Sequence, residues 1–222
     1  MRIATQVGGA VLVAVCTLAV PAAAQTDICG IKFKTPAAGS WAEWQGMGLG
    51  DSGTHRIAVI DDEQRNGKTY HRIEMTSSRS PGAMQMVVPG WPPEMQNVDE
   101  MVVQRPGQPP MKMSGEMLNT MKNAMPATKD PMTDFAKQCH RMKMLGTESV
   151  TVPAGTFKTT HMRDDSTASD VWWTPDVPFG MVKFVGKDIS TQLVGTGKDA
   201  KTVIVGTPTE MPMMPGMGKP KN

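Results

Sequence analysis

Short β-rich runs recur along this chain, broken every few residues by Pro-Gly, Pro-Ala-Gly, Pro-Asp or Gly-Lys pairs. That rhythm leaves little room for long helices and none for a regular β-α alternation, so it predicts an antiparallel, mainly β protein. With 22 Gly and 18 Pro among 222 residues, turns are frequent enough to support many strands. The clearest unit is a hairpin. His55-Arg-Ile-Ala-Val-Ile60 and Thr69-Tyr-His-Arg-Ile-Glu-Met75 flank a polar stretch containing Asn66-Gly67, which favours a tight turn. In the second run, period-two alternation puts His71, Ile73 and Met75 on one face and Tyr70, Arg72 and Glu74 on the other. Further strands are expected over 84–88, 101–104, 148–152, 157–162, 171–174, 181–185, 191–194 and 202–205.

Helix is expected in one insert, about 114–140. Ser114 can cap a run in which Met117, Met121 and Met125 recur every fourth residue beside Leu118 and Ala124, until Pro126 stops it. A second short helix is expected over Thr133–Cys139, after Pro131. Residues 207–222, with four Pro and no strand pattern, read as a disordered Met/Pro-rich tail.

The first 24 residues read as an address. Arg2, the mainly apolar run Ile3–Val20 and the small residues Ala22-Ala23-Ala24 have the form of a cleaved secretory signal, with Gln25 as first mature residue. A single domain over 25–206 and a periplasmic or secreted location follow as expectations, with no transmembrane span after cleavage. Cleavage leaves Cys29 and Cys139, an even pair that reads as one disulfide in an oxidising compartment. It would close a loop of about 110 residues, worth ~4–5 kcal/mol in the chain-entropy model. The alternative is a metal site at Cys139-His140, for which CxxC-type spacing is absent.

Charge and motifs narrow the function. A net charge of +2 argues against a nucleic-acid partner held by a basic surface, and mean hydropathy of −0.29 against a multi-span membrane protein. No Gly-x-Ser-x-Gly, His-Glu-x-x-His or phosphate-binding glycine loop occurs. Asp61-Asp62-Glu63 and Asp164-Asp165 fall where turns belong, and His55, His71 and His161 fall within strands, as polar packing explains. The chain therefore reads as non-catalytic.

Methionine is the unusual component: 21 Met against 6 Leu. Met111, Met113, Met117, Met121 and Met125 give a Met-x-Met followed by steps of four that runs into the insert, and Met211, Met213, Met214 and Met217 lie in the tail. Three readings stand together: plain core packing, a flexible Met-lined cavity for an irregular apolar ligand, and thioether binding of copper, with Met111, Met113, Met213, Met214 and Met217 as ligands.

Two stretches are distinctive: Gly146-Thr-Glu-Ser-Val-Thr-Val-Pro-Ala-Gly-Thr-Phe157, and Asp170-Val-Trp-Trp-Thr-Pro-Asp-Val-Pro-Phe-Gly-Met-Val-Lys183. With Gln192-Leu-Val-Gly-Thr-Gly-Lys-Asp-Ala-Lys-Thr-Val-Ile204 and the opening Gly39-Ser-Trp41, they resemble uncharacterised bacterial envelope proteins similar to the periplasmic lipoprotein-carrier (LolA/LolB-like) superfamily. The resemblance implies a curved antiparallel sheet, an incomplete β-barrel, with short helices covering the concave face over an apolar cavity. It implies no catalytic residue and no cofactor. Pro153–Phe157 would be a hairpin turn and Pro178-Phe179-Gly180 a fixed bend, with Gly155 and Gly180 in backbone conformations a side chain disfavours. The leading function is then a periplasmic binding or carrier protein for a lipid, lipoprotein or acyl chain. Met117, Leu118, Met121, Met125, Phe157 and Trp172 are the expected cavity residues. Copper handling is the alternative, and a structural or interaction role in the envelope a second one.

Overall fold

In the computed structural model the hairpin at Asn66-Gly67 forms as its residues require. Both turn residues have positive φ, 51° and 74°, the twist a two-residue hairpin loop needs, and Arg65 pairs with Lys68 across it. The structure describes residues 25–28, 31–48, 51–124 and 141–212. The signal segment 1–24, Cys29, Met125, the expected helix over Thr133–Cys139, Cys139 itself, His140 and the tail methionines Met213, Met214 and Met217 lie outside them.

The strands are β1 (Gln25–Ile28), β2 (Ile31–Lys34), β3 (Trp41–Gly48), β4 (Asp51–Arg65), β5 (Lys68–Ser77), β6 (Ala83–Pro89), β7 (Glu100–Gln104) and β8 (Met111–Ser114). After helix α1 (Gly115–Ala124) come β9 (Lys143–Val152), β10 (Gly155–Asp164), β11 (Ser169–Trp173), β12 (Met181–Val185), β13 (Ile189–Gly197) and β14 (Thr209–Glu210). β1 and β2 form their own hairpin. The other twelve make one sheet in the order β14-β8-β7-β6-β5-β4-β3-β13-β12-β11-β10-β9, antiparallel except for the parallel β14–β8 pair. The sheet is curved and does not close into a barrel. Its register slips at Val59/Asp61, His161/Met162, Trp172/Trp173 and Leu193/Gly195. Each such irregularity bends the strand and adds local twist, which curls a wide sheet.

Three apolar clusters form the core. Ala42, Trp44, Val59, Val182 and Leu193 belong to the first, Ile73, Met86, Val88, Val98, Met101 and Leu118 to the second, and Ile31, Phe33, Met162, Val171 and Trp173 to the third. Trp91, in the loop after β6, packs against all three although they come from distant strands, so the face they share is the inside of the curve. This concave face is covered by β2 at one end, Trp91 in the middle and α1 through Leu118 at the other.

Three sequence expectations need correction. Residues 202–205 form no strand. They belong to a strap over the opposite, convex face that leaves β13, passes Gly39 (Ala200 N–H to Gly39 O, 2.9 Å) and reaches β8. Second, the tail does not begin at 207, because Thr209–Glu210 pair with Met111 and Lys112. The β-rich run 202–205 bonds the side chains of Glu74 and Gln104 instead of a strand backbone, and 209–210 are too short to show a pattern before they meet β8. Third, Ser114 ends β8 rather than capping α1; its hydroxyl donates to the Glu210 carboxylate (3.3 Å), and Gly115 turns the chain into the helix at φ +54°.

Candidate functional site: a methionine floor under the helix

The register across β4 to β8 aligns apolar residues in two rows on the concave face. One row runs Val59, Ile73, Met86, Met101, Met113 and the next Ile57, Met75, Met84, Val103, Met111. Period-two alternation within each strand produces both: Met84-x-Met86, Met101-x-Val103 and Met111-x-Met113 each place two side chains on one face. The first row is buried apart from Met113, which is half-buried, as are all five residues of the second. α1 rests on the floor with Leu118 buried at 1% exposure and Met121 packed beside it. The second row is thus an apolar strip five strands wide, about 19 Å at ~4.8 Å per strand, that α1 leaves partly open.

The convex side of the same strands is charged. Arg72 faces Asp61 (3.2 Å) and Glu100 (3.8 Å), and Lys112 faces Glu100 (3.9 Å) and Glu210 (2.9 Å). The Lys112 ammonium, with a smaller contribution from the Ser114 hydroxyl, holds the Glu210 carboxyl below its usual value; Glu210 in turn raises Lys112. Glu74 is buried on this side at 1% exposure beneath the strap. It accepts hydrogen bonds from Gln85 Nε2 (2.8 Å), Thr202 Oγ1 (2.7 Å) and Val203 N–H (3.2 Å). Gln104 pairs with the strap like a strand neighbour, accepting from Val205 N–H (2.8 Å) and donating to Val205 O (2.9 Å). A groove of about 550 Å³ opens there, lined in part by Pro106, Pro109, Pro110, Val203 and Val205.

The residues expected at one apolar site are only partly gathered. Leu118, Met121 and Met113 meet at the floor, Met111 lies next to Val103 in the second row, and Met117 is half-buried on the same helix. Phe157 instead packs against the first cluster, with Val150 and Ala154, where the β9–β10 hairpin folds back to hydrogen-bond Leu193 O. Trp172 lies apart from all three clusters, stacked on His161 with ring centroids 4.4 Å apart, its Nε1–H donating to Glu148. Trp173, one residue on and of opposite facing, is the core residue. His161 also faces two carboxylates, Glu148 (3.0 Å) and Asp170 (2.8 Å). His71 is buried and bonded to Asp62 (2.7 Å). Asp164 ends β10 in the turn before β11, where the Ser166 hydroxyl and N–H hold its carboxyl below the usual range. Among the described residues no three His, Cys, Asp or Glu groups are placed to hold a metal ion, and no helix is long and apolar enough to cross a membrane.

Sequence reasoning missed Met75, Met84, Met86, Met95, Met101 and Trp91. The Met-x-Met spacing at 84–86 was the available signal, since in a strand it marks one face.

No protein family model matches the chain, and no curated protein matches it. Among solved structures it is similar to a candidate lipoprotein of Parabacteroides distasonis (12% identity, TM-score 0.35, 73% of this chain and 97% of that one). It is also similar to a candidate exported protein of Bacteroides fragilis with a YmcC-like fold (11%, 0.36, 75% and 99%). A third is MucB from the MucA/MucB complex of Pseudomonas aeruginosa (9%, 0.39, 74% and 53%). At these values nothing about ligand or partner carries across to this chain.

Proposed function

We propose that this chain is a non-catalytic, periplasmic binding or carrier protein for an apolar ligand of the lipid or acyl-chain class, seated along the methionine strip beside α1. The observation that carries the reading is the row Ile57, Met75, Met84, Val103, Met111, half-buried across five adjacent strands. A row of flexible thioethers adapts to an irregular apolar chain, and burying that chain contributes about 25 cal/mol per Å². The secretory pattern of residues 1–24 supports the compartment.

Displacement of a fluorescent fatty acid from delipidated protein tests the seat. Met121→Asp, which sets a carboxylate against Leu118 and the floor, should weaken uptake at least about tenfold. Met121→Leu keeps volume and apolarity and should bind within about twofold of the parent. Uptake unchanged by Met121→Asp would sink the reading. Copper remains the second reading because Met75–Met84 and Met101–Met113 are direct cross-strand neighbours. Cu(I) titration under reducing conditions separates the two: Met113→Leu should weaken copper and spare fatty acid.

A further inference from the structure

The methionines of this molecule differ sharply in how solvent reaches them. Met86, Met101 and Met162 are buried, at 8%, 4% and 2% exposure, and Met144 on β9 is open at 57%. Met84, Met113 and Met121 stand between, half-buried and packed against the cluster that holds Leu118, with Met111 half-buried next to Val103 in the same strip. We propose that these four are a site of oxidative modification, and that converting their thioethers to sulfoxides unseats α1.

The step needs only a peroxide-class oxidant. A sulfur lone pair attacks one peroxide oxygen, the O–O bond breaks and an S–O bond forms. The displaced hydroxide takes the proton carried on the transferred oxygen and leaves as water, so a neutral sulfoxide remains. Sulfur is oxidised by two electrons and the peroxide reduced by two. A sulfoxide is polar, and here it would face Leu118, Met101 and Val103. Strand alternation turns Lys112 and Ser114 to the other face, where they bond Glu210, so no donor of β8 is at hand to satisfy the new oxygen.

α1 is poorly placed to absorb that change. Its ten residues are too few to hold a helix alone in water. Leu118 is its one fully buried side chain among the described residues, while Glu116, Asn119, Thr120 and Asn123 are exposed. A hydrogen bond from Lys122 Nζ to Gln96 O (3.2 Å) ties its last turn to the loop after β6. The sheet beneath is held by strand pairing on both sides of β5, β6 and β7 and should not respond.

The test is partial oxidation of the full chain with hydrogen peroxide, read by peptide mass mapping and amide hydrogen exchange. Met144, Met84, Met111, Met113 and Met121 should each gain one oxygen before Met86, Met101 or Met162. Exchange over residues 116–123 should then quicken roughly tenfold or more, with β3 to β5 unchanged. A variant with all four changed to Leu should keep its exchange pattern under the same peroxide while Met144 still oxidises. If that variant does not fold, Met113→Leu with Met121→Leu should blunt the response by at least about half on the same scale. The proposal is overturned if the buried methionines oxidise first, if sulfoxides form with no change over 116–123, or if the Leu variants loosen as the parent does. No ligand enters these measurements, so failure of fatty-acid binding and failure of this proposal are told apart.

Discussion

Gly180 shows how one residue can carry a bend. It has φ +77°, and a Cβ there would lie 2.0 Å from Cζ2 and 2.1 Å from Cε2 of Trp173, a rigid core ring. Its neighbour Phe179 also has positive φ (65°) and packs its ring near Trp44 and Trp91. Gly180→Ala therefore forces either the ring or the bend to move and should cost on the order of 3 kcal/mol or more, measured by urea denaturation. A loss under about 0.5 kcal/mol would show that the bend has slack the geometry does not suggest. The Pro178-Phe179-Gly180 bend was legible in sequence, and so were the positive φ values at Gly155 and Gly180. The burial of Glu74 was not. Alternation put it correctly on the face opposite Ile73, but Thr202 and Val203, which cover it, are 128 and 129 positions away.

At the scale of elements, β14 is, at two residues, the shortest strand among the described residues, and a charge pair helps to hold it. Two backbone bonds, Thr209 N–H to Pro110 O (3.1 Å) and Met211 N–H to Lys112 O (2.8 Å), hold it with the Lys112–Glu210 pair. Glu210 has its folded value lowered, so its contribution is present above the ordinary glutamate range of about 4.3 and is lost as pH falls through the lowered value. Lys112 has its folded value raised, so its contribution is full below the ordinary lysine range of about 10.4 and is lost as pH rises through the raised value. Protection of the Thr209 and Met211 amides, corrected for intrinsic exchange, should be greatest near neutral pH and weaken toward about pH 3. Glu210→Gln should flatten the acid limb; protection that falls equally in that variant would mean other groups set it. The helix was legible because Met117, Leu118 and Met121 repeat at helical spacing. Met111 and Met113 were harder, because the same spacing suits a copper motif and one face of a strand; pairing of Met111 with Val103 and of Met113 with Met101 puts them on a strand face, which both ligand readings share.

For the whole molecule, Trp91 is the side chain on which the three clusters converge, with its ring 5.5 Å from Phe179. Trp91→Ala should cost about 3–5 kcal/mol and lower stability at both ends of the sheet together. Urea unfolding followed by a probe on β6 and another on β11 should give one shifted transition; two separated transitions would show that the clusters fold independently. The mainly β class, the hairpin at Asn66-Gly67 and α1 could be read from the chain alone, because turn chemistry and side-chain period act within a few residues. The convex strap, the inward Trp91 and the joining of Met75, Met84 and Met111 into one strip could not. Each depends on which strands become neighbours and how far the sheet curls, and that is decided by contacts between residues far apart in sequence. Local propensity carries no record of those contacts, so the chain announced its strands and its excess of methionine, and tertiary pairing alone turned the two into a surface.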